Sequence, residues 1–212
     1  MIVVGLTGNL ASGKSEAAKL MKDKGAVVVD ADMVARKLTE KGKPLFKAIV
    51  KFFGKQFVDK KGVLDRRKLA LHVFSHPKDL KKLNVIVHPG VILELYKEID
   101  KHRSKKGFLI LDAPLLFESK MEKLADYSVV IKASESNMLS RASRRGIPSA
   151  LARKILAAQW PVMKTARLAD FVIDNDGTIL DLKHRVKSIL NEILKKQQER
   201  ESEYVLSASK NI

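Results

Sequence analysis

Cysteine is absent from the 212-residue sequence, which removes disulfides, thiolate metal ligands and thiol nucleophiles together. Aromatic residues make up only 6%, with a single tryptophan. They are not interleaved with basic residues in the way that stacks exposed bases. No uncharged apolar run approaches the roughly 20 residues that cross a bilayer. The apolar start, residues 1–6, has no basic segment before it and runs directly into Thr7-Gly8, unlike a secretory leader. Histidines number five, no pair of them is read as having metal-ligand spacing, and zinc is not expected. Acidic residues are few against basic ones, 24 to 41, a formal charge of +17. The lysines are spread from Lys14 to Lys210 without a dominant block. The surplus therefore reads as a solvated surface that draws small polyanions, with neither nucleic acid nor a membrane expected as a partner. A cytoplasmic chain of about one domain, long enough to bury a real core, is expected.

What is present is an ordered alternation. Residues 2–7 are continuously apolar, the mark of a strand covered on both faces in a parallel sheet. Residues 14–24 read as a helix with Ala17, Ala18 and Met21 on one face and Gly25 as its stop. Residues 26–30 form a second, β-branched strand, completing a βαβ unit. From about 33 to 105 the spacing is helical. Leu45, Ile49 and Phe53 recur on one face, Asp65 can cap a helix with Leu69 and Val73, and separate helical stretches flank Pro89. Strands return at 108–112, 127–131 and 171–174, and a basic helical segment over about 135–160 is broken by Gly146-Ile147-Pro148. Thr178 can cap a last helix with Leu182, Val186, Ile189 and Ile193 on one side, and the polar end, 201–212, reads as a flexible tail. The expected fold is α/β: a five-stranded parallel sheet of the P-loop type flanked by helices. Its core is built from 1–32 and 106–200, with a helical substrate-binding insertion at 33–105 and a helical lid near 135–160.

Gly8-Asn9-Leu10-Ala11-Ser12-Gly13-Lys14-Ser15 fits Gly-x-x-x-x-Gly-Lys-Ser/Thr, between a strand and a helix as the motif requires. Such a loop turns its amides into a concave nest for phosphates, and the helix dipole adds to it. Lys14 would reach the β- and γ-phosphates, and the Ser15 hydroxyl is offered to Mg²⁺. ATP binding therefore falls to Gly8, Ala11, Ser12, Gly13, Lys14, Ser15 and the adjacent Glu16. Asp30-Ala31-Asp32 ends the second strand, where ligands of doubly wound sheets sit. Asp32 is the favoured general base, with helix capping as the alternative task for either Asp. Asp112, after four apolar residues, can hold Mg²⁺ through water or serve in strand-end turn chemistry. Arg141, with Arg144 or Arg145, shares a helix face. Arg141 and Arg144 are read as lid arginines that neutralise charge on a transferred group. Another P-loop kinase acting on a nucleoside or nucleotide remains open on these residues alone.

The series as a whole resembles the dephospho-CoA kinase family. The resemblance rests on Val28-Val29-Asp30-Ala31-Asp32, Leu64-Asp65-Arg66 with Val73-Phe74, His88-Pro89, Pro114-Leu115-Leu116-Phe117-Glu118, and Ala169-Asp170-Phe171-Val172-Ile173-Asp174-Asn175. It implies ATP-dependent phosphorylation of the ribose 3′-hydroxyl of dephospho-CoA, with ATP and dephospho-CoA as partners and Mg²⁺ as cofactor. It also implies that Asp32 is the base, that Thr7 lies under the loop, that Asp65, Arg66 and His88 face the acceptor, and that Asn175 lies near the adenine. The loop departs from the family's usual pattern at Asn9, Ala11 and Glu16. Asn9 tolerates a left-handed backbone and Ala11 does so poorly, so the loop is expected to differ locally.

Overall fold

The five apolar runs become five strands, the central three buried almost throughout and the outer two covered only in part. The computed structural model describes residues 1–209. Strands β1 (Ile2–Thr7), β2 (Val27–Asp30), β3 (Phe108–Asp112), β4 (Tyr127–Lys132) and β5 (Phe171–Asp174) pair only in parallel, in the order β2-β3-β1-β4-β5. Alternation along the strands sorts side chains between two layers. Val4, Leu6, Ile110, Val129 and Ile131 pack with Ala17, Ala18 and Met21 of α1 (Lys14–Lys22) and with Leu182, Val186 and Ile193 of α9 (Ile179–Ser209). Leu111 and Val130 face the other way, onto Leu116, Val91 and Leu95. Gly5 is needed on β1, since a Cβ there would stand 2.9 Å from a methyl of Leu116.

Register then sets the site. Asp112 pairs with both Leu6 of β1 and Asp30 of β2. The carboxyl ends of the three strands thus form one edge, with two carboxylates side by side and the loop after Thr7 beside them.

Between β2 and β3 the chain is helical: α2 (Ala31–Leu38), α3 (Pro44–Phe53), α4 (Arg66–Val73) and α5 (Pro77–Asp100). Ile49, Phe53, Phe57, Leu64, Leu69 and Val73 form a small core of their own. Asp65 caps α4, accepting from the Lys68 amide at 2.9 Å. Pro89 does not divide α5, contrary to the expectation of separate stretches. Its ring removes one helical hydrogen bond, but burial of Val91, Leu95 and Ile99 outweighs that loss. The carbonyl left over belongs to Val85, whose side chain faces solvent.

After β4 come α6 (Glu135–Arg144), α7 (Ser149–Ala158) and α8 (Val162–Leu168). The last helix starts with a reciprocal cap: Thr178 Oγ1 accepts from the Asp181 amide and Asp181 Oδ2 accepts from the Thr178 amide. It runs to Ser209, so residues 201–209 of the expected flexible tail are helical. Within it, Gln197 donates to Glu201 Oε1 at 2.8 Å and Lys195 pairs with Glu199, which extends the helix past its last core contact. The remainder of that tail, 210–212, lies outside the described residues. Among the described residues no helix is long and apolar enough to cross a membrane.

Candidate active site

The loop at 8–13 is held from below by backbone geometry. Gly13 has φ 101°, and a side chain there would run into the Asn175 amide; a Cβ on Gly8 would stand 2.6 Å from the Ile131 carbonyl. Both positions exclude any larger residue. Ala11 takes a left-handed φ of 57° and Asn9 does not. The loop thus places its left-handed residue at the position the sequence marked as tolerating that conformation poorly. Left-handed alanine costs about 1–2 kcal/mol. Its methyl is buried against Ala142 of α6 and Ala152 of α7, which offsets about 0.8 kcal/mol.

A clamp fixes the loop from the side. Asn175, at the end of β5, is buried and donates to the Ser12 carbonyl at 2.7 Å. Arg141 of α6 donates to the same carbonyl at 3.2 Å and to the Asn175 carbonyl at 2.8 Å. Asn175→Ala leaves Ser12 with one donor and opens a polar hole. We expect a loss of about 1–3 kcal/mol of stability in urea denaturation and a raised KM for ATP as the loop loosens.

At the sheet edge Lys14 pairs with Asp112, both nearly out of water. Burial pushes the Asp112 carboxyl above its ordinary value, against the pull of Lys14. The two carboxylates of Asp30-Ala31-Asp32 divide their tasks. Asp30 caps α2, accepting from the Asp32 and Met33 amides at 2.7 and 3.0 Å. Asp32 is left uncommitted on the cavity wall, hemmed in by protein yet open to solvent through the mouth. Desolvation raises its pKa above the carboxylate norm; Lys14 lowers it, and Asp30 and Asp112 raise it further.

One cavity of about 520 Å³ joins these groups to the helical segment, a size suited to a small-molecule site. The loop residues 8–15 and Asp32 form its polar end, and Ile49, Leu69, Val73 and Leu83 its apolar wall. Of the residues singled out from the sequence, Gly8, Ala11, Ser12, Gly13, Lys14, Ser15, Asp32, Arg66 and His88 line it. Arg66 donates to Thr39 Oγ1 at 2.7 Å and to the Arg36 carbonyl at 3.0 Å. Burial, with Arg36 nearby, lowers its pKa. Burial alone lowers that of His88, which favours the neutral ring at pH 7.

Thr7, Glu16, Asp65, Arg141, Arg144 and Asn175 do not line the cavity. Thr7 is buried and donates to the Pro114 carbonyl at 3.2 Å, bracing the strand end. Glu16 sits in the first turn of α1, where it suits the helix dipole. Arg144 is exposed, and it is Arg145, just past the end of α6, that reaches the cavity.

Gln159 was missed by sequence reasoning. At the end of α7, its Oε1 accepts from the Leu10 amide at 2.9 Å. Its neighbour Trp160 accepts from Asn9 through its carbonyl and donates its amide to Glu118 Oε1 at 3.2 Å. The C-terminal end of α7 is therefore bonded to the loop at Asn9 and Leu10. The adjacent Trp160-Pro161 was the only sequence signal.

The donor set suits Mg²⁺. Ser15 and Asp32 line the cavity, and Asp112 lies near enough for its charge to act on Asp32, all three offering hard oxygen ligands of the kind this ion takes.

The dephospho-CoA kinase family profile matches residues 2–181. A dephospho-CoA kinase of Bacillus anthracis is 39% identical over 194 residues, covering 89% of this chain and 96% of its own. A crystal structure of a Thermus thermophilus protein superposes with TM-score 0.74 at 32% identity, covering 90% of this chain and 97% of its own. The Campylobacter jejuni dephospho-CoA kinase superposes with TM-score 0.64 at 26% identity, over 92% of this chain and 98% of its own. On this ground the chain belongs to the dephospho-CoA kinase family.

Proposed function

We propose that the chain transfers the γ-phosphoryl group of ATP to the ribose 3′-hydroxyl of dephospho-CoA, giving CoA and ADP, the last step of coenzyme A biosynthesis, in the cytoplasm. The observation that carries this reading is the single cavity in which the phosphate loop, the free Asp32 carboxylate and an apolar helical wall meet. We assign nucleotide binding to residues 1–32 and 106–200, acceptor binding to 33–105 and closure to 135–160.

The loop amides hold the β- and γ-phosphates of ATP, and Lys14 leaves Asp112 to join them. Asp32 accepts the proton of the 3′-hydroxyl as its oxygen bonds to the γ-phosphorus, and the bond from that phosphorus to the β–γ bridging oxygen breaks to release ADP. Ser15 and Asp112 would hold Mg²⁺, which would supply neutralisation of the phosphate charge when bound. Arg145 faces the cavity and supports charge on the group in transfer, while Arg141 keeps the loop in shape. Arg66 and His88 lie toward the acceptor end. The helical lid excludes water, so the phosphoryl group passes to the sugar rather than to solvent.

A coupled ADP-release assay with ATP and Mg²⁺ tests the reading. Turnover with dephospho-CoA far above that with AMP or adenosine is expected. A preference for AMP or adenosine would assign the chain to nucleotide or nucleoside phosphorylation instead.

A further inference from the structure

We propose that the corner between α4 and α5 binds one divalent transition ion of the zinc or nickel class, through His72, His76 and Asp79. Each offers one ligand atom, and the three atoms lie within 4.8 Å of one another, the only such group found among the described residues. This runs against the expectation that no two histidines are spaced as metal ligands, because the four-residue interval between His72 and His76 crosses the end of α4. The structure closes the interval. The Ser75 amide bonds to the His72 carbonyl and the His76 amide to the Val73 carbonyl. The turn therefore continues past the helix end, and the two rings stack with centroids 4.3 Å apart.

The ligand chemistry is set by the hydrogen bonds. His76 Nδ1 lies 2.8 Å from the His72 carbonyl oxygen, a contact that requires the proton on Nδ1. Its Nε2 is then a free lone pair, oriented as in metal-binding imidazoles whose other nitrogen bonds to a backbone carbonyl. His72 Nε2 lies 2.7 Å from Asp79 Oδ2. An ion replaces the proton between them. With metal–ligand bonds of about 2.0–2.2 Å, neighbouring tetrahedral ligand atoms stand about 3.3 Å apart. The pair must therefore open by about half an ångström. Asp79 has the freedom to move, in the first turn of α5 with its side chain 34% exposed, and His72 at 32% is open to entry.

Two imidazoles and one carboxylate suit zinc, nickel or cobalt and leave a position for water. Mg²⁺, which prefers six oxygen ligands, is excluded. None of the three residues lines the phosphate-loop cavity, so the site does not depend on the kinase reading. It lies where the lid rests, since Lys154 of α7 donates to Ser75 at 3.0 Å.

The test is calorimetric titration of the full chain, freed of metal, with zinc sulfate or nickel chloride and with magnesium chloride. His76→Gln and Asp79→Asn run beside it. His76 is exposed, so its replacement leaves the helical core intact, and circular dichroism checks this. We expect one zinc or nickel ion per chain, affinity lower by about tenfold or more in each variant, and no Mg²⁺ binding sensitive to either. Nickel should also broaden the His72 and His76 ring proton resonances selectively. Absence of stoichiometric binding, or equal affinity in the wild type and both variants, overturns the proposal.

Discussion

Lys14→Ala is expected to lose about 10²–10³-fold in turnover, the usual effect of deleting one donor aimed at developing charge. It should also be markedly less stable, which a surface lysine would not be. The cause is its partner. Asp112 is 5% exposed and its carboxylate has Lys14 as its counter-ion at the sheet edge. Removing one member of a buried pair costs about 3–5 kcal/mol, reduced here to the extent that Asp112 takes up a proton. The sign of the pH dependence follows. Burial already places the folded-state pKa of Asp112 above its unfolded value, and losing Lys14 raises it further. A group of this kind favours the folded state below its unfolded pKa and loses that contribution as pH rises through its folded pKa. The stability deficit of Lys14→Ala should therefore be largest at neutral to alkaline pH and shrink on acidification. Lys14→Ala with Asp112→Asn should regain most of the stability, lose the pH dependence and recover no turnover. Urea denaturation at several pH values, with ADP release beside it, checks all three. If the double variant is no more stable than the single one, the pair does not carry this energy.

The same pair shows why some of the site was legible in the sequence and some was not. Residues 8–15 and the two aspartates of 30–32 announce themselves because phosphate binding needs glycine, lysine and a hydroxyl at fixed spacing along one local stretch. Asp112 could be named as a strand-end carboxylate, but its contact with Lys14 depends on β3 lying between β1 and β2, which is sheet order and not spacing. The loop clamp is less local still. Asn175 and Arg141 meet Ser12 from 163 and 129 residues away, and nothing in either segment points to a carbonyl as its target. Gln159 was invisible for the same reason, being one polar residue at the end of a helix. Pro89 shows the converse failure. Local chemistry predicted a break, and packing on α2 and α3 overrode it. The strands themselves were readable because a parallel sheet covered on both sides demands unbroken apolar runs.

Asp32→Asn should separate chemistry from binding more cleanly than any other substitution. The capping task that either aspartate of the pair might have held belongs to Asp30, whose Oδ1 serves the amides of Asp32 and Met33. Asp32 is therefore not needed to start α2, and the amide variant should fold with unchanged denaturation. Asparagine keeps the shape and hydrogen-bonding reach of the side chain but has no basicity. A fall in kcat of about 10²–10⁴-fold is expected, the range for loss of a positioned general base. The dissociation constant for ATP should stay within about threefold, since the loop amides and Lys14 are untouched. The pH profile gives an independent reading. A base works only when deprotonated, so wild-type kcat should rise with pH along an acid limb. Because desolvation holds the folded pKa of Asp32 above its ordinary value, ahead of the opposing pull of Lys14, that limb should lie at higher pH than a free carboxylate would give. Asp32→Asn should flatten it. Nucleotide in the cavity brings negative charge toward the carboxylate, so the limb in kcat should stand higher than the limb in kcat/KM for ATP, which reports the enzyme before nucleotide binds. Retention of both the turnover and the acid limb in the asparagine variant would remove Asp32 from the proton transfer.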